Sequence, residues 1–138
     1  MQPNKILDLS EKKRINLKCF KNFQSIKTLK LDYNNLKKFP SYLFKFTHLQ
    51  ELSLSNNQLK EIPKEISKLK NLKILNLSNN KITKVCNNIT NLKKMIILDL
   101  KNNNIKKISN NIFNLKNIEE LKLTNNIIEF IPKEIVKL

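Results

Sequence analysis

LQELSLSNNQLKEIPKEISKL, residues 49–69, carries two hydrophobic periods in succession. Leu52-x-Leu54 alternates apolar with polar, the two-residue period of a strand. A polar turn around Asn57 follows, and then Ile62, Ile66 and Leu69 recur three or four residues apart, a spacing that suits a short helix or 3₁₀ turns. Pro63 stands where that second segment begins, as do Pro40 and Pro132 elsewhere in the chain. The same unit recurs every 23 residues, beginning at Ile26, Leu49, Leu72, Met95 and Ile118. Seven offsets are apolar in each copy: Ile26, Leu29, Leu31, Leu36, Phe39, Leu43 and Phe46 in the first, and the series runs on to Leu115 and Leu138. With 40% of the chain apolar, agreement at all 35 slots by chance is on the order of 10⁻¹⁴, so the period decides the fold.

One such unit cannot enclose its own apolar side, whereas stacked units cover one another, their strands forming a parallel ribbon about 4.8 Å apart. The ninth position of every copy is Asn: Asn34, Asn57, Asn80, Asn103 and Asn126. A solenoid turn leaves backbone N–H and C=O groups facing inward, and an Asn amide both donates and accepts, so this column is expected to be a buried structural ladder. Asn also tolerates tight-turn conformations, which matters in a chain with no Gly.

The pattern Leu-x-x-Leu-x-Leu-x-x-Asn-x-Leu, followed by x-x-Ile-Pro-x-x-Ile-x-x-Leu, resembles the leucine-rich repeat, and residues 49–69 match it throughout. The 23-residue form with Ile-Pro looks most like the class in Ras-binding scaffolds, Ras-suppressor proteins and Scribble-like polarity proteins. Departures are small: Cys86 and Ser109 stand in place of Pro, after Val85 and Ile108. The resemblance implies an α/β leucine-rich-repeat solenoid, with a curved parallel β-ribbon on the concave side and short helical or 3₁₀ segments on the convex side. It also implies a non-enzymatic protein–protein interaction module, a signalling scaffold or regulator, that binds a partner protein on the concave face.

The expected organisation is a degenerate N-terminal capping repeat over residues 1–25 and five repeats at 26–48, 49–71, 72–94, 95–117 and 118–138, with no C-terminal cap. In the cap, Ile6, Leu7 and Leu9 are candidates for a strand, Ile15, Leu17, Phe20 and Phe23 for its convex packing, and Glu11-Lys12-Lys13-Arg14 replaces the Asn turn. An uncovered last repeat, from Ile118 through Ile131, Ile135 and Leu138, predicts that the isolated chain self-associates end to end, docks another chain or frays. Lys133, Glu134 and Lys137 shield that end only in part. No run approaches the ~18 apolar residues of a membrane span, and the first five residues are not a secretory leader, so the expected location is cytoplasmic, with the nucleus open. Cys19 and Cys86 fall in layers too far apart to bridge and are expected to be reduced.

The formal charge of +16 points first toward nucleic acid or anionic membrane. Against that, only Arg14 among 27 basic residues is Arg, and the wealth of Lys, Asn and Ile reads as A/T-rich codon usage. Lys37, Lys38, Lys45, Lys60 and Lys68 fall on the flanks and convex side, as do their counterparts in later repeats. Their expected role is a solvated outer surface, with electrostatic binding of a polyanion as an alternative reading and assembly through the chain end as another. The ribbon itself is near neutral, with Lys30, Lys101 and Lys122 opposing Asp32, Glu51, Asp99 and Glu120. Ile74 and Ile97 occupy one position in adjacent layers, and the candidate partner-binding set is Tyr33, Glu51, Ile74, Asn76, Ile97, Asp99 and Glu120. His48, the single histidine, has no evident Cys or Ser partner, no Gly-rich phosphate loop exists, and His and Cys do not cluster, so no catalytic, cofactor or metal residue is expected.

Overall fold

The computed structural model describes residues 5–12, 14–21, 23–130 and 133. Six strands form one sheet in chain order, every neighbouring pair parallel: β1 (Lys5–Asp8), β2 (Ile26–Lys30), β3 (Glu51–Ser53), β4 (Ile74–Asn76), β5 (Ile97–Asp99) and β6 (Glu120–Lys122). The register is the sequence period itself, with Leu29 opposite Leu52, Leu52 opposite Leu75, Leu75 opposite Leu98 and Leu98 opposite Leu121. Each strand lasts only three residues in the inner repeats because the chain must turn inward after its second leucine.

The return segments are 3₁₀ turns rather than α-helices: η1 (Leu17–Cys19), η2 (Phe23–Ser25), η3 (Ser41–Lys45), η4 (Lys64–Lys68), η5 (Asn87–Asn91) and η6 (Asn110–Asn114). Pro40 and Pro63 precede η3 and η4 with φ of −61° and −73°. Cys86 and Ser109, in the same slot, adopt φ of −72° and −71° without a ring to impose it. The stacked neighbours therefore hold the backbone there, and the Ser109 hydroxyl adds a bond from the Asn111 N–H at 3.4 Å. Pro132 and the slots Ile131, Ile135 and Leu138 lie outside the described residues, as do Glu134 and Lys137.

Between sheet and turns runs one apolar core. Leu29, Leu31, Leu43, Phe46 and their equivalents through Leu100 and Ile105 are wholly buried, while Ile118, Leu121, Leu123 and Ile128 are half-buried against it. At the other end Leu17 is buried and Leu7, Leu9, Ile15, Phe20 and Phe23 pack partly on the core. Ile6 departs from the core pattern: it sits in β1 opposite Thr28 and is 61% exposed, because the register shifts between Lys5 and Ile6.

The tandem asparagines divide two tasks. The first of each pair takes the left-handed conformation, with φ of 54–56° at Asn56, Asn79, Asn102 and Asn125, where a Gly would otherwise serve. The second is buried and binds backbone. The Asn80 amide donates to Leu54 O, Leu77 O and Ser78 O at 2.9, 3.0 and 3.2 Å, and its Oδ1 accepts the Leu59 N–H at 3.0 Å. Asn57 and Asn103 repeat the arrangement, and Asn34 accepts from Lys12 N at 2.8 Å, so the ladder reaches into the first unit. Asn126, only half-buried, accepts the Ile105 N–H and donates to Leu100 O and Leu123 O. Among the described residues, no buried side-chain nitrogen or oxygen is left without a partner.

Asn80→Leu strands three carbonyls and one N–H in the core. At roughly 1–3 kcal/mol per unsatisfied group, partly relieved by relaxation, the variant is expected to lose about 2–5 kcal/mol in urea unfolding. An unchanged midpoint would show that the turn does not depend on the ladder.

Candidate functional site

The outer face of the sheet carries the residues at alternate strand positions. In one column Thr28, Glu51, Ile74, Ile97 and Glu120 face one another in register across β2 to β6. Ile74 and Ile97 are half-buried cross-strand partners, with Glu51 and Glu120 exposed on either side. The Thr28 hydroxyl donates to Glu51 Oε2 at 3.3 Å, and Lys122 Nζ lies 2.7 Å from Glu120 Oε2. That bond to Glu120 raises the Lys122 ammonium above its ordinary pKa. The result is an apolar pair between two carboxylates, with Glu120 already neutralised by its lysine.

The neighbouring polar positions are largely committed to the protein itself. Asp32 Oδ1 accepts from Ser53 Oγ at 2.6 Å, Ser55 N at 2.7 Å and Ser55 Oγ at 2.9 Å. Asn76 Oδ1 likewise takes the Ser78 N–H and hydroxyl at 3.0 and 2.8 Å. Asp99 Oδ1 takes the Lys101 N–H at 3.0 Å, and Lys101 Nζ lies 3.8 Å from its other oxygen. Asn76 and Asp99 thus adjoin the isoleucine pair but cap their own strands. Ser55 and Ser78, expected from strand alternation to point outward, are instead 8% exposed, because the chain turns inward at that position and these carboxylate and amide groups hold the hydroxyls.

Tyr33 is 58% exposed at the end of the first repeat's strand segment. It occupies the left-handed slot that Asn fills in every later repeat, with φ of 55°. A bulky side chain is strained there. A second column was not picked out from the sequence: Asn102 donates to Asn79 Oδ1 and Asn125 to Asn102 Oδ1, both at 2.7 Å. The recurrent Asn-Asn dipeptide at 56–57, 79–80, 102–103 and 125–126 is its signal in the sequence.

Outside this face the chemistry is sparse. Cys19 and Cys86 are both free, and burial pushes the Cys86 thiol above its ordinary pKa. His48 is exposed and its ring nitrogen lies 3.4 Å from the Thr47 hydroxyl. Among the described residues no group of three metal-ligating side chains forms, and no helix is long and apolar enough to cross a membrane. Tyr33→Asn, which removes strain and leaves the rest of the turn intact, is expected to raise stability by about 0.5–1 kcal/mol. A denaturation midpoint that falls would show that the ring contributes packing that outweighs its backbone.

The family model described as "Leucine-rich repeat region" matches residues 5–138. A leucine-rich repeat protein of Leptospira interrogans superposes with a TM-score of 0.86 at 32% identity, over 96% of this chain and 34% of that one. Two Listeria monocytogenes structures, an internalin and an internalin C2, each superpose with a TM-score of 0.70. They are 28% and 30% identical, over 80% and 78% of this chain and 31% and 46% of their own. This chain therefore spans less than half the length of each of these structures. No curated protein sequence matches it significantly. On the family match and the shared architecture together, the chain belongs to the leucine-rich repeat proteins.

Proposed function

We propose that this chain is a non-enzymatic protein-interaction module, a scaffold or regulator in signalling, whose sheet face grips a partner protein. The observation that carries this reading is the Ile74–Ile97 pair, two half-exposed apolar side chains in register at the middle of the sheet, between exposed Glu51 and Glu120. An apolar centre with a polar rim is the usual anatomy of a small hot spot. Membership of the leucine-rich repeat family and the likeness to internalins support an interaction role. Tyr33 extends the surface at its edge, while Asn76 and Asp99 set its polarity and keep the strands in place. In this reading residues 1–25 serve as a capping unit. Since Asp32, Asp99 and Glu120 are tied to neighbours, the charge left for a partner is concentrated at Glu51.

Burial of the isoleucine pair makes the proposed contact far less sensitive to salt than a lysine–phosphate contact, which weakens steeply with ionic strength. The double variant Ile74→Ser with Ile97→Ser is expected to abolish capture of protein partners from native lysate at moderate salt. Its thermal stability should stay within about 1 kcal/mol of the parent, as for exposed sites. Mass spectrometry of matched pull-downs reads the first quantity and calorimetry the second. Identical captured sets would remove the sheet face from consideration, and a collapse in stability would place the pair in the core.

A further inference from the structure

On the flank beyond the Asn turn, the first two repeats are joined by the Gln58 N–H to Leu36 O at 2.8 Å, but their pairing stops earlier than in later repeats. The bridges Glu61–Lys84, Lys84–Lys107 and Lys107–Phe130 form a short parallel ladder along this flank. Among the described residues none joins Lys38 to Glu61, the rung that the period places before them. The first repeat also differs from its neighbours in two side chains on this flank. Phe39 stands where later repeats have Ile62, Val85 and Ile108, and Phe44 stands where they have Ser67, Thr90 and Phe113. Their rings stack at 6.3 Å between centroids and 16° between planes. The turn η3 packs more loosely on η4 than η4 does on η5.

The opening is a groove of about 720 Å³, within the roughly 300–1,000 Å³ of ordinary ligand sites. Phe39, Phe44 and Pro63 supply its apolar surface. Lys37, Lys38, Lys45, Lys60 and Lys68 line it, all exposed. None is in an ion pair, since the ion pairs among the described residues are Lys101–Asp99 and Lys122–Glu120. Glu61 and Glu65 also face the groove, so five cations oppose two anions within a small concave volume. A second, smaller hollow of about 460 Å³, lined by Lys73, Lys94, Lys116, Glu119, Ile96 and Ile118, has three lysines and no aromatic ring.

We propose that this groove is a second binding site, separate from the sheet face, for an acidic peptide segment that carries a bulky apolar side chain. The apolar side chain seats on Phe44 and Pro63, and flanking Asp or Glu residues meet the lysines. Glu61 and Glu65 favour a peptide over a nucleic acid, because a continuous phosphate chain is repelled where a peptide N–H finds an acceptor. The aromatic pair argues the same way. Phe39 is only 9% exposed and stacked on Phe44, so it offers no free face to a base. Lysines without an Arg fork suit scattered carboxylates better than bidentate phosphate recognition.

The test is fluorescence anisotropy at physiological salt with a labelled peptide, Asp-Glu-Phe-Glu-Leu-Asp-Glu. Two competitors accompany it, the same peptide with Ser for Phe and Leu, and an oligothymidylate of equal charge. The proposal expects saturable binding that weakens roughly tenfold or more with the serine peptide, the scale of losing a seated apolar side chain. Phe44→Ser, which installs the residue of the second repeat at that slot, and Lys45→Glu with Lys68→Glu are each expected to weaken binding about fivefold or more. Should Phe44→Ser unfold early in a melting scan, the exposed lysine pair decides alone. The Ile74→Ser with Ile97→Ser variant is expected to bind the peptide as the parent does, which separates this site from the sheet face. Absence of binding at millimolar peptide, equal affinity for the serine peptide, or tighter binding of the oligonucleotide would each overturn the proposal. So would loss of binding in the isoleucine variant with retention in the lysine variant.

Discussion

Everything in this solenoid depends on satisfying the backbone where each strand turns inward. Without that, the leucines could not enter the core, since buried N–H and C=O groups left unpaired cost about as much as the apolar burial returns. The solution is an amide column. Each buried Asn binds carbonyls of its own unit and of the unit before it, and accepts an N–H from that preceding unit. Because the Asn side chains reach across separations of 21 to 26 residues in sequence, they link neighbouring repeats as well as closing their own turns. Cohesion between layers and satisfaction within a layer are the same set of bonds.

This arrangement constrains what the sheet face can offer. Much of its polar chemistry holds strands and turns together: Asp32 gathers three donors from the next repeat, and Asn76 and Asp99 cap their own strand ends. The isoleucine pair is uncommitted and Glu51 holds one long bond, from the Thr28 hydroxyl at 3.3 Å, a small surface in a sheet that the remaining residues hold in place. A rigid, preorganised platform with few free groups suits shape-based grip on a protein better than chemistry on a substrate.

Departures from the repeat pattern concentrate in the first full repeat. Tyr33 holds a left-handed backbone that later repeats give to Asn, Asn35 adds a second left-handed residue, and Phe39 stacks on Phe44 on the convex flank. Local rule-breaking in an otherwise consistent sequence is where function is to be sought. Here it affects both sides of one layer, the sheet edge at Tyr33 and the lysine-rimmed groove behind it.

The sequence by itself determined the repeat length, the strand register, the core slots and the buried Asn column, because each is a periodic property and a solenoid repeats its contacts with its period. It also placed Ile74 beside Ile97, since residues 23 apart must be cross-strand neighbours once the strands stack in register. Tertiary structure alone decided the rest. The choice of 3₁₀ over α in the return segments came from packing against neighbours, as did the proline-like backbone of Cys86 and Ser109. Burial of Ser55 and Ser78 followed from where the strand ends, which an alternating pattern does not mark. The groove is lined by two aromatic side chains in slots that the pattern scores simply as apolar or variable, and their stacking on each other becomes visible only in the folded layers.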